Sequence, residues 1–148
     1  MLLICLYGLA GSGKSTAAAH LTAVLTERGY RVETLKIAAP LYELQGHIYR
    51  RADAEIGAFE HDNELLRTLA TQIRRINPGF LPGDFLRRVW ASSADIVVND
   101  DMRDADPDYY ALREAGFYFV RITCADAVRL QRMNARADRT IVADSDAT

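Results

Sequence analysis

The sequence predicts an α/β domain: a doubly wound, mainly parallel sheet with helices on both faces. Three observations carry the prediction. Short apolar runs at 2–7, 31–38, 95–99 and 117–122 alternate with segments of helical periodicity, and such alternation builds parallel sheets through crossover helices. The first run, Leu2-Leu3-Ile4-Cys5-Leu6-Tyr7, is apolar throughout, as expected of a strand buried on both faces. It leads directly into Gly8-Leu9-Ala10-Gly11-Ser12-Gly13-Lys14-Ser15-Thr16, which fits G-x-x-x-x-G-K-[ST], and an Ala/Leu-periodic helix follows.

That first helix is expected over 14–28, with Ala17, Leu21, Val24 and Leu25 on one face and Gly29 as the left-handed residue that ends it. The second strand, 31–38, carries Val32, Leu35 and Ile37 and stops before Ala39-Pro40 at the carboxyl edge of the sheet. Ligands of open α/β sheets sit beyond that edge, so 36–41, including Pro40, is a candidate substrate lip. An amphipathic helix over 41–51 precedes a polar loop that runs through His61. Asp62 caps the next helix, whose apolar arc is Leu65, Leu66, Leu69, Ala70, Ile73 and Ile76; Arg67, Thr71, Arg74 and Arg75 fall on the other side. After Asn77-Pro78-Gly79, a shorter helix from Asp84 offers Phe85, Leu86, Val89 and Trp90 for packing and turns Arg87 and Arg88 elsewhere.

The third strand, 95–99, is β-branched and ends in Asp100-Asp101-Met102-Arg103. Pro107 opens and Gly116 closes a helix, in the preferred order for those two residues. A fourth strand at 117–122 leads to a last helix from about Asp126, with Leu130, Met133 and Ala137 toward the core. Arg129, Arg132 and Arg136 recur along one face of it, and at least one of them is expected to face solvent, since a three-arginine stripe is more often solvent-facing than catalytic.

At 148 residues the chain is expected to be one domain, long enough to bury about 70% of its extended-chain surface without staples. The net charge of −2 offers no global attraction for a nucleic-acid polymer or an acidic membrane. The N-terminal apolar run is six residues long, short of a signal segment or a membrane span, and the expected location is the cytoplasm. Cys5 and Cys124 are expected to be buried thiols in a reducing compartment, and no C-x-x-C spacing suggests zinc. Homodimerisation is left open. Lys14 and Lys36 are the only lysines among 18 basic residues; the arginine excess suits bidentate grip on phosphate, and a GC-rich coding sequence would produce the same bias.

The chemistry follows from the glycine segment. A triphosphate needs many donors at short range, which glycines supply by letting successive backbone N–H groups close around it at a helix N-terminus. On this reading Gly8, Ala10, Gly11, Ser12, Gly13, Lys14, Ser15 and Thr16 hold ATP, Lys14 reaches the β- and γ-phosphates, and Ser15 holds Mg²⁺ with Asp101 or Asp100 opposite. No Asn/Thr-Lys-x-Asp element is present for guanine, and no glutamate stands beside the aspartates to orient water as in motor ATPases. The arginine pairs Arg74-Arg75 and Arg87-Arg88 suit a second substrate that already bears phosphate. Its ionised oxygen would need no general base, which accounts for the absence of a histidine or glutamate in a catalytic setting.

Several stretches resemble the phage-type deoxynucleoside monophosphate kinases, and animal-type phosphomevalonate kinases share much of the skeleton. These are Ala38-Ala39-Pro40-Leu41, residues 66–80 with Arg74-Arg75-Ile76-Asn77-Pro78-Gly79-Phe80, Val97-Val98-Asn99-Asp100-Asp101-Met102-Arg103, and Leu112-Arg113-Glu114-Ala115-Gly116-Phe117. The resemblance implies a P-loop fold of the nucleoside monophosphate kinase type, with a helical substrate-binding insert at about 41–92 and a lid region at about 129–148. It implies that Asp101 and Arg103 lie at the transfer site and that Arg132 and Arg136 lie in or beside a lid over ATP. The chain departs from the pattern at Ala39, where relatives often carry aspartate, and at Asp104, where an aromatic residue is common. Loss of the lip carboxylate argues against a hydroxyl acceptor. Such a kinase normally has about one more strand, so the chain is expected to be truncated or to lack an edge strand. The expected activity is phosphoryl transfer from Mg-ATP to a small phosphorylated acceptor, foremost a (deoxy)nucleoside monophosphate. A phosphomevalonate-type kinase and a non-catalytic nucleotide-binding regulator are the alternatives.

Overall fold

A computed structural model describes residues 1–58, 60–102 and 105–135. Its regular elements are β1 (Leu2–Tyr7), α1 (Lys14–Glu27), β2 (Val32–Thr34), α2 (Ala39–Arg51), α3 (Asn63–Ile76), α4 (Phe80–Ala91), β3 (Ile96–Asn99), α5 (Tyr110–Glu114), β4 (Tyr118–Arg121) and α6 (Asp126–Asn134). The strands form one sheet in the order β2-β3-β1-β4, and every pair is parallel. Register is set by Leu2 opposite Ile96 on one side of β1 and Ile4 opposite Tyr118 on the other. Among the described residues no helix is long and apolar enough to cross a membrane.

Helices cover both faces. Leu3 and Cys5 of β1 and Val97 of β3 pack against Leu41, Leu81, Phe85, Val89 and Leu112 from α2, α4 and α5. Leu6, Ile96 and Val98 point the other way, onto Ala17, Ala18, Leu21 and Leu25 of α1. Strand β3 is therefore buried at all four positions, which is why its sequence is a run and not an alternation. The edge strands β2 and β4 are largely exposed.

Several expectations shift. Strand β2 covers only three residues. Leu35 N–H still donates to Val98 O (2.9 Å), but the amides of Ile37 and Ala38 turn to the Asp101 carboxylate, so the chain leaves the sheet before Lys36. Helix α4 begins at Phe80 rather than Asp84, because Pro82 falls in its first turn, where a missing N–H costs nothing. Its core residues are Leu81, Phe85 and Val89, four apart; Trp90 lies off that line and is 58% exposed. Val24, Ile76 and Leu130 are likewise exposed. Helical periodicity finds the buried face but does not say how far the neighbouring layer extends over it.

Asp62 caps α3 as expected, accepting from Leu65 N–H at 3.0 Å. Between β3 and α5 the segment Ala105–Tyr109 is an irregular turn with an extended Asp106, and regular helix starts only at Tyr110. Gly29 and Gly116 both adopt positive φ where their helices end. Cys5 is fully buried, whereas Cys124 lies beyond β4 and is half-buried. The arginine stripe of α6 divides: Arg129 is 5% exposed, because α6 lies against the glycine-rich loop there, whereas Arg132 is exposed.

Candidate functional site

The glycine-rich segment links the carboxyl end of β1 to α1, and its backbone can be made only by glycine at three places. Gly8 has φ +148°, and a Cβ there would sit 2.3 Å from the Ile122 carbonyl oxygen. Gly11 has φ +78°, with a Cβ position 2.8 Å from the Arg129 carbonyl oxygen. Gly13 has φ +100° and is the N-cap of α1. Ser12 N–H closes the turn onto Leu9 O at 3.1 Å.

No side chain caps α1, and no acidic residue stands in its first turn, so neither a cap nor the first turn offsets the positive end of its dipole. The Lys14 ammonium folds back over the loop and donates to Gly8 O (2.7 Å) and Leu9 O (3.0 Å). Ser15 and Thr16 are exposed on the opening turn. Ser12 is 5% exposed, yet its Oγ has no hydrogen-bond partner among the described residues. Backbone amides, one ammonium and hydroxyls at an uncapped helix start form a donor set that fits a polyphosphate.

At the neighbouring strand end, Asn99 is the fastener. It is fully buried, donates to Leu35 O (3.0 Å) and to Asp101 Oδ1 (2.7 Å), and accepts from Met102 N–H (3.2 Å). Asp101 accepts from Ile37 N–H (2.8 Å) and Ala38 N–H (3.0 Å), one to each oxygen. Asp100 is buried and pairs with Lys36 Nζ at 2.8 Å. Arg88 donates to Lys36 O (2.7 Å) and to Asp84 (2.9 Å). The lip is thus held by side chains from β3, the segment that follows it and α4, and Pro40 lies half-buried in the first turn of α2 behind it. Beneath it, burial first and then the charges of Asp101, Asp100 and Asp108 push the Cys5 thiol up to about 12.

The two arginine pairs do not converge. Arg74 forms a 2.9 Å ion pair with Asp108, whose side chain is 2% exposed, and so faces inward. Its neighbour Arg75 is exposed and bonded to Gln72. Arg88 stitches the lip, while Arg87 stands 72% exposed beside Asp84. Arg132 lies over the helix start, with Nη1 3.6 Å from the place a Gly13 Cβ would take and 3.6 Å from Cys124 Sγ, to which it donates. Arg103 and Arg136 lie outside the described residues.

Sequence reasoning placed Lys36 in the lip, Asn99 at the strand end and Arg129 in the arginine stripe, but assigned none of them an individual contact. A polar residue closing a buried strand was the available signal for Asn99, since a buried amide must find partners. Nothing local distinguishes Arg129 from a solvated arginine. Among the described residues no group of three or more His, Cys, Asp or Glu could hold a metal ion; Mg²⁺ commonly takes one or two protein ligands beside substrate phosphates and water. A surface cleft of about 500 Å³ between Gly46, Arg50, residues 54–57 and Glu60 lies at the far end of α2 and involves none of these groups.

What fold and site define together is an α/β protein with a four-stranded parallel sheet and an anion-ready glycine loop at its carboxyl edge. No protein-family model matches the chain, and no curated protein matches it at a significant level.

Proposed function

We propose that the protein is a P-loop phosphotransferase of the nucleoside monophosphate kinase type, acting in the cytoplasm. It transfers a phosphoryl group from Mg-ATP to a small phosphorylated acceptor, foremost a (deoxy)nucleoside monophosphate, which becomes the diphosphate. The observation that carries the reading is the uncapped start of α1, opened by three positive-φ glycines and covered by Lys14. Topology supports it. The crossover from β1 passes over β3 to reach β2, whereas the crossover from β3 passes over β1 to reach β4, so the carboxyl ends of β1 and β3 flank a switch point of the sheet.

In this reading the amides from Gly8 to Thr16 and the Lys14 ammonium bind and orient the triphosphate. Ser15 and an aspartate at the end of β3 would hold Mg²⁺, which supplies charge neutralisation for the phosphates. The geometry favours Asp100 over Asp101 for that duty, because both Asp101 oxygens hold the lip amides whereas Asp100 is held by a lysine that can exchange partners. Lys36 and Arg74 are each pre-positioned by an aspartate. Turning from carboxylate to phosphate would let them hold the acceptor anion. Its oxygen is already ionised, so the chain need supply orientation and charge rather than a base.

The test is ADP release from Mg-ATP against a panel of nucleoside monophosphates and phosphomevalonate. One acceptor is expected to stimulate release, and Lys14→Ala to abolish the stimulation while the far-UV dichroism stays unchanged. Stimulation by phosphomevalonate alone would reassign the acceptor. Equal release with and without every acceptor would remove the kinase reading and favour a nucleotide-binding regulator, for which the outward Arg75 and Arg87 speak.

A further inference from the structure

We propose that Arg129 is a positioning residue for the glycine-rich loop: by pinning the Ala10 carbonyl it aims the Gly11 N–H at a bound polyphosphate. The inference rests on the reading of that loop as a polyphosphate site.

Arg129 sits on α6, far from the loop in sequence and against it in space. Its Nη1 donates to Ala10 O at 3.3 Å and approaches Met133 Sδ at 3.6 Å, while Nε donates to Asp126 Oδ1 at 3.2 Å. The Asp126 side chain is 78% exposed, so this ion pair alone gives no reason to bury the guanidinium. Removing a guanidinium from water costs several kcal/mol in rough terms unless hydrogen bonds offset it, and packing alone would be served as well by leucine or methionine. Burial puts the guanidinium in contact with the loop.

The helix comes so close that only glycine fits beneath it: a Cβ on Gly11 would meet Arg129 O at 2.8 Å, Arg129 Cγ at 3.0 Å and Met133 Cγ at 3.0 Å. Ala10 C=O and Gly11 N–H belong to one peptide plane and point in opposite directions. A guanidinium that holds the carbonyl toward α6 therefore turns the amide away from α6. The Gly11 N–H has no protein acceptor among the described residues. It is a donor held ready by an arginine that does not itself touch the ligand.

Inorganic tripolyphosphate, which lacks base and sugar, is the probe. Calorimetric titration into wild type, Arg129→Met and Arg129→Lys is combined with the ¹⁵N–¹H resonance of Gly11, and thermal melting reports folding. Loss of one charge-assisted hydrogen bond is expected to weaken tripolyphosphate about tenfold in Arg129→Met and to move the Gly11 resonance. Arg129→Lys, which restores a donor, is expected to return to within about threefold of wild type. An Arg129→Met protein that binds within about twofold of wild type overturns the proposal, as does an equal loss in the Met and Lys variants. If Arg129→Met does not fold, Asp126→Ala decides, since it frees Nε at an exposed side chain: a weakening of about twofold or more with a shifted Gly11 resonance supports the proposal, and no change in either overturns it. A wild type that ignores tripolyphosphate removes the loop reading and this inference together, whereas tight binding unaffected at Arg129 removes the inference alone.

Discussion

The two rims of the sheet's carboxyl edge are built differently. The loop rim, Gly8 to Thr16, is made of backbone: left-handed glycines, a helix start and one lysine that returns to carbonyls five and six residues back. The lip rim is made of side chains brought from far apart, with Lys36–Asp100 and Ile37–Asp101 each spanning 64 residues and Arg74–Asp108 spanning 34. The difference separates what each rim can do before a ligand arrives. Backbone dipoles on the loop are fixed and the helix start is uncapped, whereas the cations opposite are already held by carboxylates.

The largest effect is expected on the loop. Gly8→Ala would drive a Cβ into the Ile122 carbonyl oxygen in a backbone region closed to alanine; a loss of about 3 kcal/mol or more follows. Urea unfolding checks it, and a variant as stable as wild type would show that the loop can adopt another path.

Next comes Asp108→Ala, which leaves the Arg74 guanidinium without its buried carboxylate. An expected cost of about 2–4 kcal/mol, at the low side because Arg74 keeps some water contact, is read from the same unfolding curves. If stability hardly changes while acceptor affinity falls, Asp108 orients Arg74 without bearing structural load.

Cys5, on β1 between the two rims, sharpens the comparison through pH. The folded thiol is held up to about 12 by burial and by three aspartates, against 9.0 in an ordinary setting. The unfolded state therefore loses this proton first, and stability falls as pH rises from 9 towards 12, by up to about 1.4 kcal/mol per pH unit. Unfolding curves of Cys5→Ala and wild type should converge as pH increases through that window. A thiol reagent at pH 8 should meanwhile modify Cys124 in the folded protein and both cysteines in urea.

The smallest effects belong to Arg75→Ala and Arg87→Ala, whose partners are exposed or on the same helix turn. Each should alter stability by no more than about 0.5 kcal/mol and leave turnover within about twofold. A tenfold loss of turnover in either would restore the paired clamp that their outward geometry argues against.

How much was legible follows the same division. The Gly8–Thr16 loop and its flanking strand and helix could be read from consecutive residues, because positive φ, helix caps and buried strands are local demands with local signatures. Asp62 as a cap and Gly29 and Gly116 as stops were visible for the same reason. The inward Arg74, the outward Arg75, the buried Arg129 and the division of labour between Asp100 and Asp101 were not. In each case adjacent or periodic residues of one type were separated by what packs against them.

By itself, then, the sequence determined the alternation of strands and helices, the glycine loop and its readiness for an anion, since steric freedom and hydrogen-bond satisfaction act within a few residues. Only the tertiary structure decided which charges meet. A guanidinium or carboxylate has the same local signature in water as in an ion pair, and burial by a distant element selects between them.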